Sequence, residues 1–223
     1  MLNNGILEIN KLNKDFYEKH AESFDRSRGF YWEIFQDSLK YLKNGFKVLD
    51  LGCGNARYLK FLIENGFQIK YNGIDSNEKF IKDNSFKFPE YKFEQIDILE
   101  SINKLNEKYD FLVVFGVTHH LPSREFRKTW FKEISEMVNK NGICILSFWN
   151  FDKDKNNENI KLNYYIKERG DYFLGWKGDY SSHRFCHEYS EEEISEIKKI
   201  FSDFLLLEDY FKEDNRYLIF QKN

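Results

Sequence analysis

Cysteine is scarce, with only Cys53, Cys144 and Cys186 in 223 residues. They are odd in number, far apart and form no C-x-x-C, which excludes a disulfide framework and a cysteine-based zinc site as organising features. No apolar run approaches the roughly 18 residues that a membrane span requires. The first ten residues also lack the cationic start and apolar core of a signal peptide. A cytoplasmic location with no membrane partner is therefore the expectation. A dominant sign of charge is missing too: 34 Lys and Arg against 37 Asp and Glu leave a net charge of −3. That balance argues against a broad electrostatic footprint for nucleic acid and leaves room for a local basic patch. Prolines number two, and neither a linker nor an internal repeat divides the chain. Against these shortages stand 41% hydrophobic and 18% aromatic residues, enough for a packed core. One α/β domain over residues 1–223 is expected.

The most informative segment is Val48-Leu49-Asp50-Leu51-Gly52-Cys53-Gly54-Asn55-Ala56, an apolar run broken by an acid and then by two glycines one residue apart. A helical pattern from Tyr58 to Ile63 follows and stops at Gly66. This is strand, glycine turn and helix, the opening unit of a nucleotide-binding sheet. Glycine lets the backbone turn sharply and lets a ligand lie against the main chain. An acid in the last turn of the strand repels a pyrophosphate and holds a cationic amine, so Asp50 favours S-adenosylmethionine over a dinucleotide.

The rest of the pattern extends this unit. Residues 11–44 read as one or two helices before the first strand at 47–51. A second strand runs from Gln68 to Asp75, Ser76 caps a short helix over 77–84, and a third strand covers Tyr91 to Ile96. The unbroken apolar run from Tyr109 to Phe115 reads as a strand buried on both faces of a parallel sheet. Ser123 caps a helix in which Phe126, Trp130, Ile134 and Val138 recur four residues apart, Gly142 ends it, and Ile143 to Trp149 form the fifth strand. Residues 151–163 read as a polar loop, and 170–189 as an aromatic, irregular segment. Ser190-Glu191-Glu192-Glu193 is a capping box opening a helix to about Phe201. Two β-rich runs, 204–211 and 216–222, form a terminal hairpin. The expected fold is thus α/β and Rossmann-like: a mainly parallel seven-stranded sheet with a C-terminal hairpin and helices on both faces.

Ligands in such sheets bind beyond the carboxyl ends of the strands. The candidate cofactor residues are accordingly Asp50, Gly52, Cys53 and Gly54 in the first turn. Asp75, with Ser76, is placed to accept the ribose hydroxyls. Asp97 would meet the adenine amino group while Ile98 packs on the ring, and Phe115 and Gly116 end strand 4. The pair His119-His120 follows. Adjacent residues diverge and no carboxylate or cysteine stands at ligand spacing, so no metal site is expected. A packing role at the sheet edge and a substrate-contacting or proton-handling role both remain open for the pair. Arg28, Arg184 and His187 lie in segments that reach the same edge.

Four segments together resemble the tRNA wobble-uridine carboxymethyl methyltransferases, a family of class I S-adenosylmethionine-dependent methyltransferases. They are Tyr17 to Phe24 with Arg28 and Trp32; Val48 to Leu59, in which Ala56 replaces a third glycine; Val117 to Leu121; and Gly170 to Trp176 with Arg184-Phe185-Cys186-His187. The resemblance implies that the 5-carboxymethyl group of uridine in tRNA is esterified, and that a small activator protein is a partner. It places residues 1–44 as an N-terminal helical segment and 151–189 as a substrate-side insertion. A carboxylate acceptor is ionised at pH 7 and needs no general base. It needs a cation to hold it, for which Arg28 and Arg184 are the candidates. His120 or His187 would orient the uridine or its phosphate. Trp32, Trp176 and Phe185 would stack on bases. Lys and Arg at 124, 127, 128, 132, 161, 167 and 169 would supply phosphate contacts, a solvated helix face being the equal alternative for the first four. The alternative function is a small-molecule O- or N-methyltransferase in which a histidine removes the acceptor's proton.

Overall fold

The computed structural model describes residues 3–26, 29–102, 105–151, 160–176 and 179–223. The chain opens with α1 (Asn4–Arg26), longer at its start than the periodicity indicated. The Asn3 side chain accepts the Ile6 amide at 2.9 Å and begins the helix there. A short α2 (Glu33–Ser38) and a 3₁₀ turn, Leu39–Tyr41, lead into β1 (Lys47–Leu51). Then come α3 (Arg57–Glu64), β2 (Lys70–Asp75), α4 (Glu78–Lys87), β3 (Lys92–Gln95), α5 (Ile98–Ser101) and β4 (Tyr109–Val114). The second half holds α6 (Arg124–Glu136), β5 (Val138–Trp149), β6 (Asp171–Trp176), β7 (Asp179–His187), α7 (Glu191–Ile200), β8 (Phe204–Lys212) and β9 (Asn215–Lys222).

Seven strands form one sheet in the order β3-β2-β1-β4-β5-β9-β8. All pairings from β3 to β5 are parallel, and β9 lies antiparallel to both neighbours. Alternate residues of β1 serve opposite faces. Leu49 and Leu51 join Trp130, Phe131 and Leu112 on one side, and Val48 joins Phe111, Val113 and Tyr58 on the other. Burial on both faces is why the strand reads as an unbroken apolar run. The strand order reverses between β1 and β4, and a parallel sheet opens its ligand crevice at that point.

Several local expectations give way to tertiary contacts. The α6 helix stops at Glu136, and Val138 starts β5, fully buried and paired with Tyr109. Ser123 makes no side-chain cap and has φ 61°; the Glu168 carboxylate accepts the Arg124 amide at 2.9 Å instead. Asn77 rather than Ser76 caps α4, its side chain accepting the Phe80 amide. The capping box at Ser190 forms, with Ser190 and Glu193 each satisfying the other's backbone.

Residues 171–176 and 179–187 are regular rather than irregular: β6 and β7 pair as a separate antiparallel hairpin. It docks on α1, where Asn13 accepts the Phe185 amide at 2.7 Å and the Trp176 indole donates to Ser23 at 2.9 Å. Most of the polar stretch predicted as a loop lies outside the described residues. Its end is tied down by Glu8, whose carboxylate accepts the amides of Asn163, Tyr164 and Tyr165. Among the described residues, no helix is long and apolar enough to cross a membrane.

Candidate active site

The glycine turn after β1 is built by backbone geometry. Gly52, Gly54 and Ala56 all have positive φ, at 77°, 52° and 56°. A Cβ on Gly52 would lie 2.2 Å from a Val117 methyl, whereas a Cβ on Gly54 would enter open space. Gly52 thus lets two loops close on one another, and Gly54 keeps the cleft floor clear. The Gly54 amide donates to Asp75 at 2.9 Å, so the carboxylate at the end of β2 holds the turn in place. Its other oxygen accepts the Asn77 amide at 2.9 Å. Burial raises the Asp75 pKa, and the amides of Asn77, Gly54 and Ser76 oppose that rise.

Asp50 is 3% exposed and accepts the Tyr71 hydroxyl at 2.6 Å. Burial pushes its carboxyl up to about 7, against the pull of the Tyr71 hydrogen bond. No cationic side chain among the described residues forms an ion pair with it; the Arg57 charge favours its ionisation and the Asp75 charge opposes it, both without direct contact. A buried carboxylate held by one neutral donor is the complement of a ligand ammonium. With the open cradle at Gly54, this donor set fits S-adenosylmethionine. Asp50, Gly52, Cys53, Gly54, Asp75, Ser76, Asp97, Ile98, Phe115 and Gly116 all line this one cleft.

Asp97, expected to meet the adenine amino group, lines the cleft and already has partners within the protein. One oxygen accepts the Leu99 amide at 2.9 Å as the cap of α5. The other takes Asn10 at 2.7 Å and Lys14 at 2.5 Å. Its acceptor positions are already engaged, so an adenine amino group would have to displace α1 side chains. Asn10, Lys14 and Tyr17 cover the cleft from one face of α1. Their spacing along a helix was the sequence signal for this cover, and it was missed.

Beyond Gly116, the cleft meets a second cavity of about 410 Å³ whose walls include Trp32, Trp149, Trp176 and Tyr17. Arg184 lies against it, 7% exposed. Its guanidinium faces the rings of Phe16, Trp149 and Trp176 at 5.1, 5.4 and 5.1 Å. Burial works against its charge, and the Tyr17 hydroxyl and Cys186 thiol outweigh that effect and raise its pKa. Its Nε has no hydrogen-bond partner, and no carboxylate pairs with it among the described residues.

His120 is buried beside this cavity. Its Nδ1 lies 2.8 Å from the Phe185 carbonyl and its Nε2 lies 2.7 Å from the Tyr17 hydroxyl. A carbonyl only accepts, so Nδ1 carries a proton, and in the neutral tautomer that this leaves, Nε2 accepts from Tyr17. Contrary to expectation, His119 and His120 do not diverge: their rings are 4.1 Å apart, and the ligand atoms of both and of Cys186 fall within 4.8 Å of one another. Both nitrogens of His120 are nevertheless engaged. Burial, only partly offset by Arg184, pushes the Cys186 thiol up to about 11. As placed, this trio suits a cation poorly.

His187 does not belong to the cleft. It is fully buried between Asp171 at 2.7 Å and Glu193 at 3.0 Å, with Arg127 on the same Glu193 oxygen at 2.7 Å. It joins the hairpin to α7. Phe185 is likewise fully buried and presents no face for stacking. Of the proposed phosphate contacts, Arg124 is paired with Glu192 and Glu196, Arg127 with Glu168 and Glu193, and Lys128 with Glu125. Lys132, Lys161, Lys167 and Arg169 are exposed. Arg28 lies outside the described residues. Trp32 stacks on the Arg57 guanidinium at 4.4 Å and lines both cavities.

The methyltransferase domain model matches residues 12–199. The chain is similar to the tRNA (carboxymethyluridine(34)-5-O)-methyltransferase of Saccharomyces cerevisiae, with 26% identity over 72% of this chain and 54% of that protein. A protein of the same name from Schizosaccharomyces pombe is 22% identical over 93% of this chain and 94% of its own. The chain therefore spans about half the length of the budding-yeast relative and nearly all of the fission-yeast one. Among solved structures, it resembles the Burkholderia thailandensis 1,6-didemethyltoxoflavin-N1-methyltransferase, solved with 1,6-didemethyltoxoflavin and S-adenosylhomocysteine. The TM-score is 0.69 at 14% identity, covering 100% of this chain and 92% of that one. A family match that runs through every strand from β1 to β7 carries the conclusion that this chain belongs to the methyltransferase-domain family, with S-adenosylmethionine as its cofactor.

Proposed function

We propose that the acceptor is a carboxylate, and that the enzyme esterifies the carboxymethyl group of 5-carboxymethyluridine in tRNA. One observation carries this reading: Arg184 is a buried cation with an open Nε and no carboxylate partner among the described residues. Tyr17, Cys186 and three aromatic rings sustain the charge without neutralising it, which leaves the guanidinium able to receive an anionic group from the cavity. The names of the two yeast relatives support the same acceptor.

S-adenosylmethionine, when bound, supplies an electrophilic methyl group on a positively charged sulfur. Arg184 holds the acceptor carboxylate, which is already ionised at neutral pH, so no side chain has to remove a proton. Tyr17 and His120 then orient rather than deprotonate: both ring nitrogens of His120 are held in hydrogen bonds, one with the Tyr17 hydroxyl and one to the Phe185 carbonyl. Alignment of two bound reactants is worth roughly 7–11 kcal/mol at near-attack geometry. Arg28 remains the second candidate for the clamp, from its place in the N-terminal segment alone.

A small-molecule acceptor is the second reading, favoured by the exposed acids Glu213 and Asp214 beside the cavity, which repel a polyanion. Transfer of labelled methyl to tRNA bearing 5-carboxymethyluridine separates the two. Base-labile label in the RNA, reduced about 100-fold or more in Arg184→Ala, is expected from the loss of charge-assisted hydrogen bonds. Full activity of Arg184→Ala, or label stable to base, would refute the carboxylate reading.

A further inference from the structure

Arg184 explains how an acceptor carboxylate would be held, and it says nothing about the rest of the acceptor. Asn215 lines the same cavity at the start of β9. It is 7% exposed, and its side-chain amide makes no hydrogen bond among the described residues. A primary amide offers two donors and one acceptor, and one that lines a cavity with no partner among the described residues is available to a ligand.

Register places this amide beside the arginine. Asn215 is the cross-strand partner of Trp149, so both side chains project from the same face of the sheet with Cβ atoms about 5 Å apart. The Trp149 ring in turn lies 5.4 Å from the Arg184 guanidinium. One wall of the cavity thus runs from cation to indole to open amide. Indole walls suit a planar ring, and the amide suits an edge that presents one N–H and one carbonyl side by side.

We infer that Asn215 is the residue that selects the acceptor's ring, reading a cyclic imide edge while Arg184 holds the carboxylate. Resting on the carboxylate reading above, it assigns each atom a task. The Asn215 carbonyl accepts the N3–H of a uracil ring, and its NH₂ donates to the neighbouring O4. That edge adjoins C5, the carbon bearing the carboxymethyl group, so both anchors address one side of the ring. A site built to hydrogen-bond a polar edge rejects an analogue lacking it far more strongly than an apolar wall does.

The test compares two anticodon stem-loop RNAs, one carrying 5-carboxymethyluridine and one carrying its N3-methyl derivative, with base-labile methyl ester as the readout. Wild type is expected to prefer the unmethylated ring about 30-fold or more in kcat/KM. Asn215→Ala should shrink that preference to within about threefold, acting mainly through KM on the unmethylated ring. Asp214→Asn should leave the preference intact, since Asp214 is the exposed neighbour that would otherwise accept N3–H. Thermal melting with S-adenosylhomocysteine confirms that each variant folds and binds cofactor.

Ester formation with an undiminished preference in Asn215→Ala overturns the assignment to Asn215 and leaves the carboxylate reading standing. Loss of the preference in Asp214→Asn instead moves the role to that acid and likewise overturns it. Absence of ester on either RNA in wild type overturns both the carboxylate reading and this inference.

Discussion

Asp50 ties cofactor affinity to pH in a way that can be worked through. In the ligand-free protein its carboxyl titrates near 7, displaced from an ordinary value of 3.8 because it is buried with only the Tyr71 hydroxyl as donor. At 1.36 kcal/mol per unit, that displacement makes the ionised form cost about 4 kcal/mol in the folded chain. The folded state holds this proton more tightly than the unfolded state does. This group's effect on stability is therefore unfavourable as pH rises from about 4 to about 7, and constant above that. A ligand ammonium reverses the penalty by supplying the missing charge, and binding then expels the proton.

Affinity for S-adenosylhomocysteine should accordingly fall about tenfold per pH unit below 7 and level off above it. Titration calorimetry from about pH 5.5 to 8.5, in buffers of different ionisation enthalpy, measures both the affinity and the proton released. Asp50→Asn replaces the carboxylate by a neutral group of the same shape. It should flatten the pH dependence, weaken binding and raise the stability of the ligand-free protein at pH 8. A wild-type affinity that does not change between pH 5.5 and 7.5, with no proton release, would show that Asp50 is ionised before the ligand arrives. The reasoning from burial would then be wrong.

The two glycines of the turn should fail differently. Gly52→Ala drives a Cβ to within 2.2 Å of Val117 and should lower the unfolding midpoint sharply in a urea titration. Gly54→Ala meets no protein atom, so it should cost only the roughly 1–2 kcal/mol of left-handed backbone while abolishing cofactor binding by calorimetry. His187→Gln breaks a buried charge cluster and should destabilise by about 3–5 kcal/mol without changing KM for the acceptor. The sign of its pH dependence follows from both partners. Burial alone would lower the His187 pKa, yet Asp171 and Glu193 raise it, so its contribution is lost as pH rises through that raised value. Glu193 is held well below its ordinary value despite burial, by His187 and the Ser190 amide, so its contribution is lost as pH falls. The stability difference between wild type and His187→Gln should therefore be largest between about pH 4.5 and 6.5, and denaturation across that range checks it.

Much of this architecture was legible because it is written in short-range pattern. The glycine turn, the acids ending β1 and β2, and the unbroken apolar runs of β1 and β4 depend on local backbone geometry and on burial of both strand faces. These dictate the α/β sheet and the cleft over Gly52 and Gly54 whatever else the chain does. Tertiary packing decided where the nearby polar groups went. Arg184 and His187 stand three residues apart on β7, so strand alternation puts them on opposite faces, but no local signal says which face meets the cleft. Docking of the hairpin on α1 turned Arg184 toward the acceptor cavity and buried His187 against Glu193. In the same way, Asp97 looks free in sequence and is occupied in space, because Asn10 and Lys14 reach it from a helix almost 90 residues earlier. Asn215, unremarkable in its own hairpin, gained its position only when β9 paired with β5 beside Trp149. Periodicity encodes what a residue is buried against within its own element. Long-range pairing alone determines which charges meet, and with them the chemistry of the site.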